Sequence, residues 1–247
     1  VHTDPDGSSR LESLLRNLNP KKIFIEISED RAKVFLSKTI DDRMKEHEDT
    51  IRRWDEQGFI LTSKQRDKLL ALARLKNRSH GFEVICSHEY KNRNPGTEIY
   101  YIDIGGDEIY DGLREAFGRS QEPTQEARQK ILAGLTSSIE EHLADLRGLV
   151  DFQYSHAHKL ASFGDAINAN FENELGHLSP KAKESLRHVL NPKRNESMAA
   201  AIKKYHNNNG ISVAVMGATH IYMIGYLLSY LRPAYILLNE VPVPNCK

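Results

Sequence analysis

Two stretches at opposite ends of the chain share one frame: "LLRNLNPKKIFIEI", Leu14 to Ile27, and "LLSYLRPAYILLNE", Leu227 to Glu240. In each, leucines at helical spacing run into a proline, and an apolar segment follows. The leucines demand that the helix bury one face, and the proline stops it. "KKIFIEI" is rich in β-branched and aromatic residues with little alternation, as in a strand covered on both faces. The frame therefore predicts an α/β fold: a mixed, largely parallel central sheet with flanking helices, two pseudo-repeated strand-helix-strand units at the chain ends and a helical insertion between them.

Between the ends the character changes. Residues 41–80 are charge-rich helix, "DDRMKEHEDTIRRWDEQG" and "SKQRDKLLALARLKNR", separated at Gly58. Two short strands are expected next, "FEVICS" at 82–87 and "TEIYYIDI" at 97–104, joined by the loop "HEYKNRNPG". A helix over 107–117 follows the Gly105-Gly106 turn. Residues 118–192 carry almost no strand signal and read as a helical insertion or lid within a single domain of 247 residues. "NESMAAAIKKYHNNNG" predicts a helix capped by Asn195 and stopped at Gly210. A strand, a tight Gly turn with His220, a helix and a second strand ending near Glu240 close the chain.

Composition narrows the function classes. Lys plus Arg and Asp plus Glu both number 34, a balance that argues against a general nucleic-acid binder. The two cysteines, Cys86 and Cys246, make neither a disulfide framework nor a paired-cysteine zinc motif. No run reaches the ~18 apolar residues of a membrane span, and no secretory pattern is present, so a cytoplasmic chain is expected. The numbers leave a homodimer open.

Two residues stand out against this background. Glu26 interrupts the apolar run Ile23, Phe24, Ile25, Ile27, where a carboxylate costs several kcal/mol, of order 1–5, unless it is paired or metal-bound. A strand-end glutamate open to water, or paired with Arg31, is the plainer alternative. His220 follows the late strand, and parallel sheets bind ligands outside the carboxyl ends of their strands. Each copy of the frame also has a histidine before its helix, His2 and His220, and a glutamate late in its strand, Glu26 and Glu240.

"VHTDPDGSSRLESLLRNLNPKKIFIEISEDR" resembles the opening of TraB/PrgY and GumN proteins: a histidine turn, a helix, a proline, a strand with a glutamate, and an arginine soon after. "RNESMAAAIKKYHNNNGISVAVMGATHIYMIGYLL" resembles their closing motif, an Arg-Asn helix start, a strand and Gly-x-x-His. The resemblance covers about a hundred residues and extends to the wider group of Tiki proteases, erythromycin-esterase-like hydrolases and haem-binding ChaN proteins. It implies site roles for His2, Glu26, Arg31, Arg194, Asn195, Gly217 and His220, and puts Asp103 of "IYYIDI" at the pocket. The Gly-Thr that precedes the family's first histidine is absent, and Ile-Gly-Gly follows Asp103 where TraB proteins often have Arg-Asp.

The resulting expectation is a metal-dependent hydrolase acting on a peptide or other small substrate. His2, Glu26, His220 and Glu240 would hold a divalent Mn, Co, Zn or Fe, whose bound water becomes a nucleophile. Glu26, Arg31 and Arg194 would be catalytic, and Asp103, Asn195 and Gly217 would contact substrate. A metal-free version uses the same histidines, Glu26 and an arginine as base and oxyanion partners. A protein that sequesters a peptide or haem without turnover is the alternative.

Overall fold

The computed structural model describes residues 4–79, 81–103, 192–207 and 209–243, with scattered positions between 141 and 184. Among these residues the order is α1 (Gly7–Leu18), β1 (Lys22–Ile25), α2 (Glu29–Ser37), α3 (Ile40–Glu56), α4 (Ser63–Ser79), α5 (Phe82–Arg93), β2 (Glu98–Tyr101), α6 (Pro192–Tyr205), β3 (Ser212–Val215) and α7 (Ala218–Leu227). The protein is thus mixed α/β, mostly helical, around a small sheet of three parallel strands in the order β2-β1-β3. Lys22 to Ile25 pair with Glu98 to Tyr101 on one side and with Ser212 to Val215 on the other. The expected helix at 107–117 and most of the insertion at 118–192 lie outside the described residues.

The alternation of β1 divides the core into two layers. Ile23, Ile25 and Ile27 join Leu11 and Leu15 of α1 and Phe82, Val84, Cys86 and Tyr90 of α5. Phe24 points the other way, into a cluster with Met198 and Ile202 of α6 and Ile224 of α7. A strand buried on both faces must be apolar at successive positions, which is why β1 lacks the polar alternation of a surface strand. Glu26 has the parity of Phe24 and so points toward α6 and α7.

"FEVICS" is not a strand. It opens α5, with Gly81 at φ +75° as its cap residue. Phe82, Cys86 and Tyr90 recur every four residues and are all buried in the layer that contains α1. This helical stripe also runs through the expected loop, since "HEYKNR" belongs to α5. The β-branched residues Val84 and Ile85 favour extended structure only weakly, and burial of a face spaced at four overrides them.

At the two prolines the backbone turns alike and then diverges. Asn19 and Arg232 occupy equivalent places before their prolines and share the left-handed conformation, at φ 47° and 51°. After Pro20 the chain enters β1, whereas after Pro233 it forms no strand, and residues 238–240 make a 3-10 turn. Leu238 packs on the α1 layer although α7 belongs to the opposite one. The tail therefore passes between layers instead of adding a fourth strand. The C-terminal end is thus a helix, a corner and a tail, without the expected closing strand.

α3 and α4 form a helical hairpin. A capping box of Thr39 and Asp42 starts α3, which satisfies two orphan backbone donors. Arg43 anchors the hairpin by donating to the carbonyls of Phe35 and Lys38 at the end of α2.

Candidate functional site

The sheet places the site before any side chain is considered. β1 is followed by α2, which puts Ala32 and Phe35 in the α1 layer, while β3 is followed by α7 in the α6 layer. Neighbouring parallel strands whose connections leave to opposite faces open a crevice at their carboxyl ends, where ligands of α/β proteins bind. Glu26 stands at the end of β1, with its backbone N–H donating to Val215 at 3.0 Å. Gly217 and His220 stand at the end of β3, on opposite sides of the start of α7.

Arg194 is the hub. It lies in the first turn of α6, because that helix begins at Pro192, three residues before the expected cap Asn195. Its Nε and Nη2 donate to Oδ1 and Oδ2 of Asp103 at 2.9 and 2.8 Å, a bidentate pair. The same Nη2 donates to Glu26 Oε1 at 2.9 Å. Nη1 reaches His220 Nε2 at 3.1 Å. The side chains of Arg194, Asp103 and Glu26 are only 8%, 1% and 9% exposed, so these charges interact with little solvent screening.

The remaining contacts fix Glu26 and His220. The Gly217 backbone N–H donates to Glu26 Oε2 at 2.6 Å. Asn195 Oδ1 lies 2.6 Å from His220 Nδ1. An amide oxygen only accepts, so Nδ1 carries the proton and a neutral ring presents a lone pair at Nε2. That nitrogen lies 3.1 Å from both Arg194 Nη1 and Glu26 Oε1. Neutral, it accepts from the guanidinium; protonated, it donates to the carboxylate. Burial by itself would raise the Glu26 pKa, but the contacts from His220, the Arg194 charge and the Gly217 N–H outweigh it and hold the carboxyl at about 2. Glu26 is therefore a carboxylate throughout the neutral range.

Six of the nine residues expected from the sequence meet here: Glu26, Asp103, Arg194, Asn195, Gly217 and His220. Asp103 grips Arg194, Asn195 orients His220, and Gly217 holds Glu26 through its backbone. Arg31 stands half-buried in α2, just beyond the end of β1. Glu240 is exposed in the final 3-10 turn, where it accepts from the Leu237 backbone N–H at 3.3 Å. That position follows from the missing closing strand. His2 lies outside the described residues.

A metal would need donors with lone pairs turned toward a common point. Among the described residues no group of three His, Cys, Asp or Glu side chains is gathered in that way. His220 Nε2 and Glu26 Oε1 do face each other, but the Arg194 guanidinium contacts both, and a cation is a poor neighbour for a second cation. Of the four ligands expected from the sequence, Glu26 and His220 meet here, Glu240 is exposed in the tail, and His2 lies outside the described residues.

No protein-family model matches the chain, and neither a curated protein nor a solved structure is significantly similar to it. The likeness to TraB/PrgY proteins rests on the quoted motifs alone. Among the described residues no helix is long and apolar enough to cross a membrane.

Proposed function

We propose that the protein is a hydrolase, with peptides as the leading substrate class, in which His220 and Glu26 activate water and Arg194 stabilises the developing oxyanion. The observation that carries this reading is the His220 environment: Nδ1–H fixed by Asn195 and Nε2 directed at a permanent carboxylate. Neutral His220, whose Nε2 accepts from Arg194 Nη1 in the resting site, takes a proton from water once that N–H turns to the substrate oxygen, while the water oxygen bonds to the scissile carbonyl carbon. The imidazolium so formed is stabilised by the Glu26 carboxylate, whose Oε1 lies 3.1 Å from Nε2. Arg194 keeps its bidentate grip on Asp103 while Nη1 turns from His220 to the oxyanion. The proton then passes from His220 to the leaving nitrogen as the C–N bond breaks.

The test is a peptide and ester panel digested by the wild-type chain, His220→Gln and Glu26→Gln, each with and without chelator, alongside metal analysis of the protein. Hydrolysis that falls roughly 10²- to 10⁴-fold in His220→Gln supports the reading. A metal requirement for turnover would mean that the Arg194 contacts rearrange in the working enzyme. Wild-type protein inert toward every member of the panel would refute hydrolysis and favour a binding protein, for which a Soret band on haem titration is the direct probe.

A further inference from the structure

A cavity of about 250 Å³ lies against the sheet face that carries α6 and α7. Its floor is one side of β3, from Ser212 through Ala214 to Met216, and its roof is the Ile221, Ile224 and Leu228 side of α7. From Ser212 to Met216 a strand advances roughly 13 Å. The cavity therefore runs from the amino end of β3 to the turn that holds the candidate site. Met216 and Ile221, at that end, are the residues on either side of the segment from Gly217 to His220.

Three features say what it could hold. None of its described lining residues is Asp, Glu, Lys or Arg, and its one histidine, His206, is paired at 3.0 Å with Ser212 at the far end. Its volume lies below the roughly 300–1,000 Å³ of pockets that hold a drug-sized ligand, so it suits a single side chain. Tyr235 crosses α7 at Gly225, where any Cβ would collide with the phenol ring. The absence of a side chain at Gly225 thus lets the tail wall off one flank of the cavity.

We propose that this cavity is the specificity pocket of the site, receiving an aliphatic side chain of leucine size from the residue whose peptide bond His220 addresses. The inference rests on the hydrolase reading for the word substrate, but its binding half stands apart from turnover. The continuous turn from Met216 to Ile221 couples the two: it lines the pocket with its ends and presents Gly217 and His220 from its middle. A charged side chain would be desolvated there without a partner and is excluded.

The test uses the full chain and three probes, the N-acetyl methylamides of leucine, alanine and aspartate, followed through methyl NMR signals of Met216, Ile221 and Ile224. The leucine probe should shift these signals and bind at least ~10-fold more tightly than the alanine probe, with the aspartate probe silent. Ala214→Leu, which fills the floor, should weaken the leucine probe at least ~10-fold while the melting temperature holds; Ala234→Leu does the same from the facing wall if Ala214→Leu does not fold. Equal binding of leucine and alanine probes, or variants that bind leucine like the wild type, would overturn the proposal. Leucine-selective binding with no cleavage of leucine peptides would uphold the pocket and remove the hydrolase reading. Cleavage indifferent to the side chain would do the reverse.

Discussion

Glu26→Gln provides the sharpest physical test, because the variant keeps the shape of the side chain and removes its charge. In the folded chain the carboxyl titrates at about 2 instead of the ordinary 4.5. A depressed pKa means that the folded state prefers the ionised form. The resulting stability is complete above pH 4.5 and drains away as pH falls toward 2. At neutral pH it amounts to about 3 kcal/mol. Between pH 6 and pH 3 about 2 kcal/mol of that should be lost. The measurement is urea denaturation of wild type and variant at half-unit steps over this range, read as the difference between the two. Subtraction cancels carboxylates common to both chains, and any constant cost of placing an amide beside Arg194 shifts the curve without tilting it. A difference that stays flat from pH 6 to pH 3 would show that Glu26 is not held ionised by Arg194, His220 and the Gly217 N–H, and the account of the site would fail with it.

Arg194→Met should destabilise the chain by about 3–5 kcal/mol, since Glu26 and Asp103 would be left buried beside no guanidinium; denaturant titration at pH 7 checks this. Arg194→Lys should fall between the two, because one ammonium keeps the charge but cannot form the two parallel bonds to Asp103. Asn195→Ala should release His220 from its single tautomer, seen as mixed Nδ1–H and Nε2–H populations by ¹⁵N NMR, with a melting temperature within a few degrees of wild type. A pure Nδ1–H signal in that variant would remove Asn195 as the positioning residue. Gly81→Ala should cost more than about 1 kcal/mol in thermal unfolding, as it forces a Cβ into a left-handed conformation and against the Phe35 ring.

The candidate site was legible to an unequal degree. Glu26 announced itself because a carboxylate in a run of isoleucines and phenylalanine needs a partner, and His220 because it follows a strand and a glycine. What the residues could not disclose was who their partners are. Glu26 finds Arg194, 168 positions away, and the plainer pairing with Arg31 was equally open to a reading of the sequence. Asp103 and Asn195 were placed at the site by motif alone, and only their contacts assign them to holding Arg194 and His220 in place.

What the sequence determined by itself is whatever local chemistry can enforce: the amphipathic α1, the apolar β1 and the glycine turn ahead of α7. These follow from backbone sterics and side-chain periodicity within about a dozen residues. The tertiary structure decided the rest. Phe82 to Ser87 became helix because the buried stripe of Phe82, Cys86 and Tyr90 faces α1. The tail after Pro233 stayed out of the sheet as Leu238 was drawn to the opposite layer. Arg194 gathered two carboxylates and a histidine at one crevice. Each outcome depends on free energy gained by burying or pairing groups far apart in the chain, and no local window contains both halves of such a contact.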